Sequence, residues 1–437
     1  MKNIMEKVIN QVTDQKAQSD LLLCKSKSLK MSSQNGDISE YKVASTQILG
    51  IRVIKDDKIG LSYTETFDEE SLKFMVKQAL QNAEMSSPNP NEKLMDLKGC
   101  LSDRLSIPEE EIDIKLKTDR TIELESRVKQ GDQRVVAVPY NGYSENEYES
   151  IYLSSKGREA NYFDKSYNIA TSALMDQNGK KSNFDDYSIA HTFLELEWDK
   201  VAETALFHAR NILEEKPLPT AKYSVMFHHD CLKSLMSCFS HFYSAKSAID
   251  KMNPWGTKVG QEVASRDLTI IDHPLFERSF RTSVFDSEGV ERKSLTLIER
   301  GVLKSLYHNS VTARTLNTTT TGHAVQNPGG ALGIGGTDLI ITGQNVKPLP
   351  SKYLEVIQMD GLYSGANRVN GNFSVAVKGY VWDKGERSMT FGNITLSGNI
   401  MNMLKNVDVV GEILVASTDN SFFSVPLIFP ELSIGGT

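Results

Sequence analysis

Cysteine is scarce in this chain. Its 437 residues contain only Cys24, Cys100, Cys231 and Cys238, and no two of them form a CxxC pair. Sparse, unpaired cysteines indicate free thiols in a reducing compartment and argue against a disulfide framework. We therefore expect a cytoplasmic protein.

Long apolar runs are also lacking. No segment approaches the ~18 apolar residues that are needed to span a bilayer. The N-terminal stretch MKNIMEKVINQ predicts an amphipathic helix rather than a signal peptide, because no apolar run follows its lysines. Hydrophobic residues at 39% and charged residues at 24% are typical of a globular protein. We expect a soluble chain that makes no contact with a membrane.

An excess of positive charge is absent too. The formal net charge is −7, whereas a nucleic-acid-binding surface needs clustered Lys and Arg to neutralise phosphates. The charge balance therefore argues against nucleic acid as a partner.

Several catalytic motifs are missing. The chain has no GxSxG elbow for a serine nucleophile. The glycine-rich stretch 329–336 lacks the lysine-serine ending of a phosphate-binding loop, and it predicts a loop or a chain that crosses close to another backbone. Asp286 and Glu288 are candidates for acid–base chemistry, but the glycine-ended turn that contains them favours a turn or capping role.

The periodicities that are present predict an α+β fold in three domains. Residues 1–90 predict an α/β unit of helix, hairpin and helix, with Asp68 opening the second helix. Residues 91–219 predict a second α/β unit, a meander with helices, and residues 220–437 a larger, mostly β domain. The predicted meander strands are 134–139, 147–154, 159–165 and 167–175, with breaks at Asn141-Gly142, Lys156-Gly157 and Asn178-Gly179.

The stretch from Tyr223 to Phe242 predicts a buried strand that runs straight into a helix with one apolar face. Asp230 is well placed to cap the first turn of that helix. A local metal cluster is an alternative for this stretch, because histidines and cysteines lie close together at positions 228, 229, 231, 238 and 241. On a helical wheel Cys231 and Cys238 flank the apolar face while His241 points nearly opposite, so semi-buried free thiols are favoured over a metal site.

Short motifs of the last domain follow one another in a distinctive order. They are FDSEGV at 285–290, GVL at 301–303, TGHA at 321–324, GLYSGAN at 361–367, GNFS at 371–374, the run 394–399 and PEL at 430–432. In this order and spacing they resemble the TldD/PmbA family. The helix, hairpin and helix at the N-terminus extend the resemblance over nearly the whole chain.

The resemblance implies one subunit of a cytoplasmic zinc metallopeptidase that degrades unfolded peptides and removes leader peptides from some modified peptides. In that family a TldD-like subunit carries HExxxH on the helix after the first strand of its last domain, and a cysteine ligand near its C-terminus. The PmbA-like subunit, also called TldE, is metal-free.

The ligand positions of that motif are occupied by unsuitable residues here. Ser237, Cys238 and Phe242 stand where His, Glu and His would be, and no cysteine lies beyond Cys238. An alternative placement that starts at His229 reaches Ser234 at its last position. The chain therefore resembles the metal-free subunit, with no cofactor of its own and with zinc expected in a TldD-like partner.

The predicted function is to help bind unfolded or leader peptides for proteolysis or peptide maturation by the complex, with no catalytic residue in this chain. Within the family-like motifs we choose His323, Asn370, Phe373 and Ser374 as candidate substrate-binding residues, and for His323 the alternative of a loop histidine is favoured. A homodimer is a further expectation for the isolated chain.

Two alternatives come from other classes of protein. One is a self-associating binding protein without a protease partner, which copurification with a chain that carries HExxxH would rule out. The other is a modulator of DNA gyrase, an older label of this family. The acidic balance argues against the form of that role in which the chain contacts DNA.

Overall fold

A computed structural model of the chain describes residues 1–104 and 111–436. Residues 105–110 and Thr437, which fall in the second and third predicted domains, lie outside the described part. A long, mostly antiparallel sheet of eight strands forms the N-terminal half, in the order β3-β2-β1-β6-β7-β4 with β5 and β8 also on β7. Its strands are β1 Gln18–Gln34, β2 Asp37–Lys55, β3 Lys58–Thr64, β4 Gly99–Arg104, β5 Val135–Ala137, β6 Asn141–Ser154, β7 Arg158–Gln177 and β8 Lys180–Ala190.

Two pairs of helices cover this sheet. They are α1 Lys2–Asp14 with α2 Glu69–Met85, and α3 Ile114–Gly131 with α4 Trp198–Leu213. The apolar faces of α1 and α2 pack on the first strands, whereas those of α3 and α4 form a separate core with β6 and β7. Asp68 caps α2 as predicted, because its carboxylate accepts a hydrogen bond from the backbone N–H of Ser71 at 2.9 Å.

The meander differs from its prediction. Asn141-Gly142 starts β6 rather than breaking the chain, since Gly142 pairs with Ser32 of β1 and the Asn141 amide donates to the carbonyl of Thr121 at 2.8 Å. The predicted strands 159–165 and 167–175 are one strand, β7, which β6 and β8 hold from either side. The predicted turns at Lys156-Gly157 and Asn178-Gly179 are confirmed.

The pairing of β1 with β6 carries one sheet across the first predicted domain boundary. Thirteen residue pairs join these strands, from Asp20 with Ser154 to Ser32 with Gly142. The division into 1–90, 91–219 and 220–437 stays a prediction.

The C-terminal half contains a closed barrel. Its strands run β16-β9-β23-β19-β18, and β18 pairs with β16 to complete the ring. The barrel strands and their two attached strands are β9 Ala221–Phe227, β16 Lys352–Asp360, β17 Ala366–Asn367, β18 Asn372–Asp383, β19 Glu386–Asn399, β20 Asp408–Val409 and β23 Leu427–Gly435. With the helices below, this sheet-rich half confirms the predicted α+β class.

A second, open sheet lies beside the barrel in the order β12-β11-β10-β15-β22-β21. Its strands are β10 Leu268–Asp272, β11 Leu295–Glu299, β12 Val302–Leu303, β15 Leu339–Gly343, β21 Val415–Ala416 and β22 Phe422–Ser424, and a separate small pair is formed by β13 Ala324–Val325 and β14 Gly333–Ile334. The glycine-rich stretch is a close backbone crossing, as predicted: a Cβ on Gly50 of β2 would lie 2.3 Å from the backbone nitrogen of Gly329.

The helix after β9 is shorter than predicted. The helices of this half are α5 His229–Cys238, a 3₁₀ turn Ser240–Tyr243, α6 Ala245–Ile249, α7 Ser310–Thr315, α8 Leu362–Gly365 and α9 Ile400–Asn406. The predicted capping role of Asp230 is wrong. Its carboxylate instead accepts hydrogen bonds from the backbone N–H and the hydroxyl of Thr418, at 3.0 and 2.7 Å, so a distant loop uses it.

None of the helices within residues 1–104 and 111–436 has both the length and the apolar character to cross a bilayer.

Candidate functional site

The family's zinc-ligand positions do not fit a metal in this chain. Ser237 is exposed, Cys238 is buried, and Phe242 is 1% exposed with its ring packed against Phe239 and Trp255 at centroid distances of 5.6 and 5.3 Å. A phenyl ring offers no donor to a cation, and neither Ser237 nor Cys238 supplies the carboxylate of a general base.

The local cluster of histidines and cysteines is dispersed by the fold. Burial raises the pKa of the Cys231 thiol, which keeps it protonated in the core. His241 turns away, with Nε2 2.6 Å from the carbonyl oxygen of Arg368. In the described part of the chain, no three His, Cys, Asp or Glu side chains are grouped so that they could share a metal ion.

A cleft of about 790 Å³ opens at the start of α5, and we call it the α5 cleft. One wall is formed by β8 and α4. The other is formed by the first turns of α5, the end of β16 with α8, and the segment 415–420. Its volume lies within the range of about 300–1,000 Å³ that is usual for ligand sites.

Each wall of the α5 cleft contains one edge strand, β8 in the first wall and β21 in the second, and the two strands belong to different sheets. Among the described residues, β8 pairs with β7 alone and β21 pairs with β22 alone. An edge strand presents backbone N–H and C=O groups that have no strand partner, so it can accept a further extended chain.

Titratable groups from both walls face this cleft. Burial raises the pKa of Asp186 on β8 to about 6. Burial also lowers the pKa of His208 on α4 and of His229 on α5 to about 4, so both rings are neutral at pH 7. The hydroxyl of Tyr380 lies 2.7 Å from Nδ1 of His208 and fixes that ring. The site therefore offers neutral imidazoles and ionised carboxylates.

The residues that the sequence analysis chose for substrate binding lie outside this cleft. His323 is completely buried, with Nε2 3.1 Å from Asp272 and its ring stacked on Tyr307 at 4.4 Å. Phe373 is 3% exposed in the barrel core. Because neither side chain presents a surface to solvent, we do not include them in the candidate site.

The two other chosen residues are exposed. Asn370 receives a hydrogen bond at its carbonyl from the amide of Asn399 at 2.8 Å, and the Ser374 hydroxyl lies 3.0 Å from that of Ser397. Neither of them lines the α5 cleft. A role in peptide binding stays a prediction for these positions.

Other cleft residues were missed as binding candidates. The sequence contained a signal for one group of them, since GLYSGAN at 361–367 was among the family motifs and its Tyr363 is 82% exposed at the cleft. No local pattern marked Asp185, Asp186 or His208, which are brought to the cleft by the packing of β8 and α4 against the C-terminal half.

The Asp286 and Glu288 turn has the structural role that its sequence favoured. The Asp286 carboxylate accepts from the backbone N–H groups of Glu288, Val290 and Ala324 at 2.9 to 3.0 Å. Glu288 accepts from the N–H and hydroxyl of Ser310 at 2.8 and 2.6 Å. Both carboxylates are buried, so they hold the turn together and are closed to solvent.

Family models match the chain in three consecutive parts. The model described as the PmbA/TldA metallopeptidase C-terminal domain covers residues 220–436. Those described as domain 1 and the central domain of the same metallopeptidase cover residues 19–83 and 107–213.

Curated relatives are similar over most of their length. The metalloprotease PmbA homolog of Haemophilus influenzae is 24% identical, over 91% of this chain and 88% of its own. Metalloprotease PmbA of Escherichia coli is 23% identical, over 95% of this chain and 92% of its own.

Solved structures share the fold. A Thermotoga maritima protein named as a modulator of a DNA gyrase has a TM-score of 0.86 at 22% identity, with 99% of this chain and 100% of that chain covered. TldE from Thermococcus kodakarensis has a TM-score of 0.83 at 19% identity, with the same coverage. With three domain models matched in order, and PmbA relatives along most of its length, the chain belongs to the PmbA/TldD metallopeptidase family.

Proposed function

We propose that this chain is the metal-free subunit of a TldD/PmbA-type zinc metallopeptidase, and that its α5 cleft holds part of the peptide substrate. The observation that carries the proposal is the helix α5 itself. At its far end and in the 3₁₀ turn that follows, Ser237, Cys238 and Phe242 replace the ligand set of the family, while its first turns line an open cleft.

The edges of β8 and β21 support an extended peptide as the ligand. A strand that adds to either edge would be held by backbone hydrogen bonds, which are indifferent to side-chain identity. Such binding suits unfolded chains and leader peptides of varied sequence, because a folded substrate would not expose a free strand. Proteolysis or peptide maturation in the cytoplasm is the corresponding cellular role.

A TldD-like partner would supply the zinc, the general base and the cysteine ligand. The name of the Thermococcus kodakarensis neighbour, TldE, supports a partner of this kind. This chain's own residues would bind and orient the peptide. In isolation the same surface could pair two copies of the chain.

The test is zinc content and peptidase activity on an unfolded polypeptide, for this chain alone and mixed with a TldD-like chain. We expect no zinc and no cleavage from this chain alone, and more cleavage from the mixture than from the partner by itself. Stoichiometric zinc, or chelator-sensitive cleavage by this chain alone, would overturn the proposal. A mixture that neither associates nor gains activity would favour a self-associating binding protein.

A matched pair of variants locates the peptide. Ser234→Trp places a large ring in the α5 cleft from an exposed position of α5. Glu203→Trp adds the same ring at an exposed position of α4 that does not line the cleft. The first variant should remove the gain in activity by the mixture and the second should keep it. Equal activity of the two variants would move the peptide out of this cleft.

A further inference from the structure

Carboxylates from both walls dominate the charge of the α5 cleft. They belong to Asp185, Asp186, Glu197, Asp230 and Asp360. Lys200 is the only lysine or arginine among the described residues that line the cleft, and its ammonium already pairs with Glu197 at 2.7 Å. The cleft is therefore negatively charged at neutral pH.

The histidines of the cleft do not offset this charge. His208 and His229 are neutral at pH 7 because burial lowers their pKa values to about 4. The exposed ring of His228 has its Nδ1 3.5 Å from Asp230, whose oxygens also accept the two hydrogen bonds from Thr418. The carboxylate of Asp230 thus has hydrogen-bond partners within the chain. The excess negative charge of the cleft comes from the remaining carboxylates.

Asp185 on β8 and Asp360 at the end of β16 both line the cleft, one from each wall. Partial burial and then the charge of Asp360 raise the pKa of Asp185, and the charge of Lys378 acts in the opposite direction. Neither carboxylate forms an ion pair with a side chain in the described part of the protein. Two like charges that act on one another repel, and a cation bound between them would relieve this repulsion.

Aromatic rings complete this part of the cleft. Phe184 and Tyr187 flank the two aspartates of β8, and Tyr363 stands beside Asp360 with 82% of its surface exposed. The guanidinium of Arg368 lies 5.9 Å from the centre of the Tyr363 ring, so this ring already accepts a cation on its face. Carboxylates next to aromatic faces form a setting that binds ammonium and guanidinium groups.

We propose that the α5 cleft binds a positively charged group of the peptide, an ammonium or a guanidinium, between Asp185 and Asp360. The inference rests on the proposed function, because it takes the cleft as the peptide's site. Edge-strand pairing accounts for tolerance of sequence along the peptide. The carboxylate pair adds a preference for a cation at one point, and it sets the register in which the peptide is held.

The test uses the full-length chain, alone and mixed with a TldD-like partner. Short glycine- and serine-rich peptides carry a fluorophore at the C-terminus and one central residue, either lysine or the neutral norleucine. Each is made with a free and with an acetylated N-terminus, and binding is followed by fluorescence anisotropy. The lysine peptide should bind about tenfold more tightly than the norleucine peptide. If the preference instead follows the free N-terminus, the terminal amine is the bound cation.

Asp185→Asn/Asp360→Asn should bring the affinity ratio to about one and leave the norleucine peptide's Kd unchanged, because only the charge is removed. The matched control is Asp14→Asn, an exposed carboxylate at the end of α1 that should keep the ratio. The ratio should also shrink toward about 1 M salt, where screening acts within about 3 Å.

The outcomes separate the two proposals. Equal binding of charged and neutral peptides, with Ser234→Trp abolishing both, would overturn the cation preference and keep the peptide cleft. A ratio that falls as much in Asp14→Asn as in the double variant would also overturn the cation preference. Failure of every peptide to bind in either preparation would overturn both.

Discussion

Replacing Arg52 by methionine should remove the counter-ion from a buried cluster that joins the two halves of the fold. Arg52 lies on β2 and is 2% exposed, and its guanidinium donates to both oxygens of Asp20 at 3.0 and 2.5 Å. The same group lies 3.5 Å from Glu288 of the C-terminal half, and the Tyr152 hydroxyl donates to Asp20 at 3.0 Å. Burial opposes the charge of Arg52, but the two carboxylates hold its pKa well above the ordinary value.

The size of the effect follows from what the substitution leaves behind. Methionine fills much of the space of the aliphatic part of the arginine side chain, so the substitution loses little stability through an empty cavity. Asp20 and Glu288, at 3% and 1% exposure, then lose the guanidinium that lies close to both of them. Removal of one partner from a buried ion pair costs about 3–5 kcal/mol, and we expect a loss of this size in the free energy of unfolding.

Urea unfolding followed by intrinsic fluorescence measures this loss. Arg266→Met is the matched control, since the Arg266 side chain is 78% exposed and pairs with Glu262 on the surface, and it should change the free energy by no more than about 0.5 kcal/mol. The double variant Arg52→Met/Asp20→Asn should lose less than the sum of the single variants, because one stranded charge is gone. A loss below about 1 kcal/mol for Arg52→Met would refute this reasoning.

Two further predictions concern a titration and a backbone contact. Burial, and then the charge of Glu288, raise the pKa of Asp286 to about 6 from 3.8, so the folded state holds this proton more tightly than the unfolded state. The protonated Asp286 contributes to the free energy of unfolding below about pH 4, and this contribution is lost as the pH rises to about 6. On going from pH 7 to pH 4, the free energy of unfolding of the wild type should therefore rise by about 3 kcal/mol relative to that of Asp286→Asn. Parallel pH profiles of the free energy of unfolding for the two proteins would contradict this. Gly50→Ala should destabilise by about 1–3 kcal/mol because its Cβ would meet the Gly329 backbone at 2.3 Å, whereas Gly435→Ala, with its nearest atom at 3.7 Å, should be nearly neutral in the same urea assay.

Local signals in the sequence predicted those elements whose stability is itself local. Three of these elements were confirmed: the start of α2 at Asp68 and the turns at Lys156-Gly157 and Asn178-Gly179. Each of them depends on neighbours within a few residues. Asn141-Gly142 was predicted as a break and is part of a strand, because pairing with β1 more than a hundred positions earlier outweighs its turn preference. Asp230 likewise serves a loop 188 residues away rather than its own helix.

The candidate site depends on contacts that a local pattern cannot encode. The ligand positions at Ser237, Cys238 and Phe242 could be compared with a known motif, so their unsuitability for zinc was visible in the sequence. The α5 cleft instead arises where β8 and α4 meet the C-terminal half, and its aspartates are far apart in the chain. Only the packing of distant strands brings Asp185 and Asp360 to the same cleft.

The closed barrel has a consequence for how the chain is made. Its first strand, β9, lies beside β16, which begins 125 residues after β9 ends, and beside β23, which begins 200 residues after β9 ends. During synthesis β9 therefore emerges from the ribosome long before either neighbour exists. The ring has no free edge once complete, but until the last strand arrives β9 is exposed to pairing with other chains.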